Sequence, residues 1–137
     1  MNHSTITVKT NVSGGIKKVW EYYTNPIHIT NWNFADPSWH CPRAQNDLRV
    51  GGTYMARMEA KDGSTGFDFE AIYSQVAISK GFKYEFGGRN ARVQFNVLGD
   101  QIEVVITFDA ENENPIEMQK RGWQNILDNF KTYTQSN

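Results

Sequence analysis

The sequence predicts an α+β domain of β-α-α-β(5)-α order, a curved six-stranded antiparallel sheet wrapped around one long C-terminal helix. Three observations carry this prediction. From Gly52 onward, about sixty residues alternate between apolar and polar with the period of a half-buried strand. The chain ends in an apolar stripe at steps of three and four, the signature of an amphipathic helix. Between the first strand and that sheet, two short stretches also repeat at helical spacing.

The elements follow in order. "TITVKT" places Ile6 and Val8 on one face of a strand. In "VSGGIKKVWEYYTN" the period changes, with Ile16, Val19, Trp20 and Tyr23 on one helical face and Ser13 as its expected N-cap. Asn25 before Pro26 repeats the start signal for a second short helix. The stretch "NWNFADPSWHCPRAQNDLRVGG" has no such period and reads as a loop. Strand faces then collect Tyr54, Ala56 and Met58; Phe67, Phe69, Ala71 and Tyr73; and Phe82, Tyr84 and Phe86. Ala91, Val93, Phe95 and Val97, then Ile102, Val104, Ile106 and Phe108, complete the pattern. Turn signals "KDGS", "ISKG", "GGRN" and "LGDQ" separate the runs, so the sheet is an antiparallel meander. In "NENPIEMQKRGWQNILDNFKTY", Asn114 is the expected cap, Pro115 the first helical residue and Glu117 the partner that bonds back. Ile116, Trp123, Ile126, Leu127, Phe130 and Tyr133 or Thr134 form the stripe.

Bulk properties bound the function. A length of 137 residues fits one domain, expected over residues 1–137. A net charge of −1 with no Lys/Arg run argues against nucleic acid as a partner. The absence of a long apolar run argues against membrane insertion, and "MNHSTITVKT" lacks the pattern of a signal peptide. One cysteine forms no internal disulfide, so a reducing cytoplasm is the expected location. Four Trp, six Tyr and eight Phe mean that something large and apolar is buried or lined.

Candidate chemistry is sparse. His40 and Cys41 are adjacent, but zinc needs three or four ligands at spacings missing here, so neither a metal nor a catalytic residue is expected. Cys41 is expected to be buried, with His40 hydrogen-bonded at a cavity rim. Asp109, Glu111, Glu113 and Glu117 read as a solvated turn near a helix start. Asp68 and Glu70 alternate away from Phe67 and Phe69 and point to solvent. The pairs Gly14-Gly15, Gly51-Gly52 and Gly87-Gly88 lack the phosphate-loop context, and no cofactor is expected. Gly122 interrupts the long helix at a cost of about 0.5–1 kcal/mol relative to alanine. It is expected either to let the helix approach a strand aromatic or to leave room for a ligand beside Trp123.

The element order, with "VWEYYTNPIHITNW", "WHCPRAQNDLRVGGTY", "MEAKDGSTGFDFEAIYSQV" and "ENPIEMQKRGWQNILDNF", resembles the bacterial homologues of the activator of Hsp90 ATPase. These belong to the START-like superfamily, with polyketide cyclases and plant lipid-binding allergens. The resemblance runs from about Ile6 to Tyr133 and implies a helix-grip fold with an internal apolar cavity. It implies that Trp32, Phe34 and Trp39 are wall or lid residues, with His40 and Arg43 as polar exceptions. Inward alternation adds Tyr54, Met58, Phe69, Tyr84 and Phe95, and the helix adds Gly122, Trp123, Ile126 and Phe130. The eukaryotic co-chaperone that names the group has an additional N-terminal domain that engages Hsp90, whereas this sequence opens on the first strand.

The expected function is therefore non-enzymatic binding of a small apolar or aromatic molecule between sheet and helix. A surface that binds a chaperone is the alternative, followed by a cyclase-type enzyme, for which His40, a tyrosine, Arg57 or Glu85 is the available proton-transfer group.

Overall fold

A computed structural model describes residues 4–137. Residues 1–3, part of the single-domain expectation and of the N-terminal stretch scanned for a signal, lie outside the described residues. The elements are β1 (Thr5–Ser13), α1 (Ile16–Thr24), α2 (Pro26–Ile29), β2 (Trp39–Asn46), β3 (Thr53–Ala60), β4 (Gly66–Ala77), β5 (Gly81–Phe86), β6 (Arg89–Leu98), β7 (Gln101–Asp109) and α3 (Ile116–Ser136). One antiparallel sheet runs in the order β1-β7-β6-β5-β4-β3-β2, with α3 and the two short helices on its concave face.

The sheet has seven described strands, not six. The extra one, β2, comes from the segment expected to be a loop. Its pattern is hidden because it pairs only with β3, as an edge strand, and its register slips between His40 and Arg43 around Cys41-Pro42. Proline has no N–H to give a ladder and is tolerated at such an edge or bulge. Elsewhere alternation reads correctly for Ile6, Val8, Tyr54, Ala56, Met58, Ala71, Tyr73, Phe82, Tyr84, Phe86, Ala91, Val93, Phe95, Ile102, Val104, Ile106 and Phe108, which are all buried. Phe69, by contrast, is half-buried, and Phe67 is exposed where β4 runs out past the core. Val97, near the end of β6, is 62% exposed because the core does not extend that far.

Two expected caps differ. Gly15, not Ser13, is the N-cap of α1, and it offers no side chain. Pro115 caps α3 in place of Asn114, so the helix begins at Ile116. The loop before α3 is held instead by Gln119, a buried polar residue one turn into the helix. Its Oε1 accepts from the Glu111 N–H, and its Nε2 donates to the carbonyls of Glu111 and Asn114. The Asn25 cap is as expected: Oδ1 accepts the Ile27 N–H at 3.0 Å.

Helix α3 approaches the sheet most closely along β1. Its second half is buried through Leu127, Phe130 and Thr134, whereas Trp123 and Ile126 are only partly covered. Tyr23 and Trp32 stand edge-on to Phe130 and fill the space under this half. Strands β3 to β5 curl away from the first half of α3, which leaves a gap between them and Trp123. Among the described residues, no helix is long and apolar enough to cross a membrane.

Candidate ligand-binding cavity

The gap is a cavity of about 260 Å³. Its walls come from α1 (Tyr23, Thr24), the segment after α2 (Trp32, Asn33), β3 (Tyr54, Met58), β4 (Phe67, Phe69, Tyr73), β5 (Phe82, Tyr84, Phe86) and α3 (Trp123, Ile126), with Arg89 and Ile106. At the junction formed by Met58, Phe67, Arg89, Trp123 and Ile126 it meets a shallower groove of about 430 Å³. Ala35, Asp36, Trp39, Met118, Gln119 and Gly122 are among the groove's other residues.

The floor is a continuous aromatic layer. Tyr54 and Tyr84 stack at 5.9 Å, and Phe69 stands edge-on to both. Tyr73 is perpendicular to Phe82 at 5.4 Å. On the helix side Trp123 lies flat on Phe108 at 4.0 Å, which fixes its indole at the junction. Such rings supply large apolar area and hold their orientation through edge and offset contacts.

The polar groups differ in how far they are satisfied. Tyr73 donates to Asn46 Oδ1 at 2.7 Å, and Asn46 in turn donates to the Thr24 carbonyl at 2.7 Å. Asn33 donates through Nδ2 to the Tyr54 hydroxyl at 3.1 Å. Among the described residues, the hydroxyls of Tyr23 and Tyr84 make no hydrogen bond, and the Tyr54 hydroxyl only accepts. Burial raises the pKa of Tyr23, Tyr54, Tyr73 and Tyr84 above the ordinary tyrosine value, reinforced by tyrosine neighbours for the first three. All four are therefore neutral O–H groups at physiological pH.

Arg89 is the one charged residue on the cavity wall among the described residues. It follows the tight turn at Gly87 and Gly88, whose φ values of 57° and 81° favour glycine. Its guanidinium lies 4.7 Å over the Phe86 ring, and Nη1 donates to the Asp109 carbonyl at 3.1 Å. The rim segment Asn33 to Ser38 is tied to α3, because Asn129 and Asn125 donate to the carbonyls of Phe34 and Ala35.

The residues expected to form a site fall into three sets. Trp32, Tyr54, Met58, Phe69, Tyr84, Trp123 and Ile126 line the cavity. Trp39 and Gly122 line the groove. Phe34, His40, Phe95 and Phe130 line neither. Phe95 packs against Trp20 and Tyr23, and Phe130 against Tyr23 and Trp32, so both lie behind the wall. Phe34 touches α3 through its carbonyl, held by Asn129. His40 is not at the rim: β2 alternation sends it across from Glu59, with Nε2 3.5 Å from that carboxylate, while Cys41 turns inward and is buried.

Arg43 joins Arg57 around Asp68, and Arg57 also donates to Glu59, so these charges pair on the outer face. Glu85 is exposed on β5, on the face opposite Tyr84 and Phe86. No three metal-ligating side chains come together among the described residues. An added Cβ at Gly122 would meet nothing within 4 Å, so close approach to a strand aromatic does not explain this glycine, which faces the groove beside Trp123.

Tyr23, Thr24, Asn33, Phe67, Tyr73, Phe82, Phe86, Arg89 and Ile106 line the cavity but are not among the site residues expected from sequence. Tyr23 had a signal, since it sits on the apolar stripe of α1. Asn33 sits in an aperiodic stretch and Arg89 beside a turn, where neither period points inward.

The sequence matches the family described as activator of Hsp90 ATPase homolog 1-like protein over residues 15–135. The chain belongs to this family. A solution structure of the AHSA1-like protein from Aeromonas hydrophila is 36% identical, with a TM-score of 0.91 over 97% of this chain and 93% of that one. A solution structure of the protein Chr148 from Cytophaga hutchinsonii is 48% identical, with a TM-score of 0.83 over 97% of this chain and 93% of the other. A crystal structure of a Chromobacterium violaceum protein shares the fold alone, at 19% identity and a TM-score of 0.85 over 97% and 99% of the two chains. No curated protein matches the chain. As a bacterial-type member of the activator of Hsp90 ATPase homologue family, it has the helix-grip arrangement of curved sheet and terminal helix that builds the cavity.

Proposed function

We propose that this protein binds a small apolar or aromatic molecule between β3–β5 and the first half of α3. The observation that carries the reading is the aromatic cavity beside Trp123, left where α3 parts from the sheet and extended by the groove at Gly122. Its volume of about 260 Å³ lies just below the usual range for small-molecule sites and is extended by the groove, and a few fixed polar groups among many rings is the composition such sites show. The single cysteine suits a reducing cytoplasm as the place of action.

The test is native mass spectrometry of the purified protein, then calorimetric and tryptophan-fluorescence titration with fatty acids, flavonoids and polycyclic aromatics. A copurified molecule or saturable binding is expected, abolished by Ile126→Phe, which fills the junction. A ligand at about one hundred times its Kd should add about 2.7 kcal/mol of stability and raise Tm accordingly. An apo mass, with no ligand of the panel binding, would sink the reading.

A second reading is a chaperone partner, favoured by the family description alone. Calorimetry of the protein into Hsp90 tests it, and no heat of binding would remove it. Cyclase-type catalysis ranks lower, because His40, Arg57 and Glu85 line neither cavity nor groove and the cavity tyrosines are poor bases with raised pKa values.

A further inference from the structure

Three hydroxyl groups on the cavity wall have hydrogens that no acceptor among the described residues takes. Tyr23, Tyr54 and Tyr84 enter from α1, β3 and β5, and none donates a hydrogen bond among the described residues. Tyr54 is already an acceptor, from Asn33 Nδ2, so its own hydrogen is free to turn toward the cavity. Tyr73 shows what a satisfied neighbour looks like, with Asn46 Oδ1 taking its proton at 2.7 Å. The raised pKa values keep the three groups protonated. The side-chain acceptors on this part of the wall are the Asn33 amide oxygen, Thr24 Oγ1 and the hydroxyl oxygens themselves, and none of them takes one of these three protons among the described residues.

Buried donors without partners are costly, and native interiors pair nearly all of them. These three are not sealed in, since Thr134 Oγ1 is the one fully buried side-chain polar atom without a partner among the described residues, so they open onto the cavity and are free to donate to an acceptor supplied from outside the chain. Resting on the reading of the cavity as a ligand site, we propose that its ligand carries a carbonyl-type oxygen at the inner end. That oxygen accepts from the tyrosine hydroxyls while the apolar body lies against Phe69, Phe86 and Trp123. A plain hydrocarbon fits the same walls but leaves the donors unanswered. The tyrosines are thus specificity-determining residues, and the chemical class is an aryl or alkyl ketone, or another neutral molecule with an exposed carbonyl.

Matched pairs of nearly equal shape test this: fluorenone against fluorene, and acetophenone against ethylbenzene, by calorimetry on the wild type and on Tyr23→Phe, Tyr84→Phe and the double variant. The wild type should hold at least one ketone about tenfold more tightly than its hydrocarbon, the scale of one buried hydrogen bond. The double variant should bind that ketone and its hydrocarbon alike, and its circular dichroism spectrum and urea midpoint show separately that it is folded. Equal affinity for ketone and hydrocarbon in the wild type overturns the proposal and leaves the apolar cavity reading standing. A preference that persists in the double variant and in Tyr54→Phe also overturns it. Failure of both pairs to bind overturns the proposal, while the wider panel above decides the cavity reading separately.

Discussion

Thr134 is fully buried in α3, and its Oγ1 has no hydrogen-bond partner among the described residues. A buried hydroxyl that lost its water and gained nothing destabilises the fold, so Thr134→Val should raise stability by about 1 kcal/mol. The urea midpoint will show it, and a lower midpoint would mean that the hydroxyl is satisfied. Cys41 is a quieter case. Burial pushes its thiol up to about 11, so at pH 8 roughly one molecule in a thousand carries the thiolate. Iodoacetamide should leave Cys41 unmodified in the native protein for hours and label it within minutes in denaturant, as mass spectrometry would record. Burial of Cys41 is expected from the sequence, whereas the missing partner of Thr134 Oγ1 is not, because it depends on what the rest of the chain places around that hydroxyl.

Gly122 belongs to the helix more than to itself. Its missing side chain costs α3 about 0.5–1 kcal/mol relative to alanine, and the space where a Cβ would sit is empty. Gly122→Ala should therefore stabilise the protein by about that amount, since no neighbour has to move. The same methyl narrows the groove beside Trp123, so ligands that reach beyond the junction should bind more weakly than in the wild type. A stability gain without any loss of affinity would show that the groove is unused. The β2 edge shows the converse limit of pattern reading. Alternation is imposed by having one buried and one wet face, and a bulged strand paired on one side is released from it.

Across the molecule, four of the six tyrosines share one buried environment that favours the neutral form. In the unfolded chain tyrosine ionises near pH 10. With folded pKa values raised above that, their stabilisation is complete below about pH 10 and is lost as pH rises toward the folded values. Stability should hold through neutral pH and collapse in the alkaline range. Tyrosinate absorbance and circular dichroism followed together should show the buried tyrosines ionising only as the fold is lost. Early ionisation in an intact fold would mean that the cavity is wetter than its lining indicates.

Fold class, five of the sheet strands after α2, the long helix and most inward-facing aromatics are legible in the chain, because periodicity is a local record of which face meets water. The glycine of "GW" in α3 left close approach and open space as alternatives, and only the structure shows that nothing lies within 4 Å of it. Local pattern could not show that α3 follows β1 and leaves β3–β5 uncovered, that His40 crosses to Glu59, or that Phe95 and Phe130 stand behind the wall. Nor could it bring Tyr23, Tyr54 and Tyr84 to one cavity, or set Arg89 at its junction. Those relations join residues from separate elements, and they exist only once the sheet has curled and the helix has settled against one side of it.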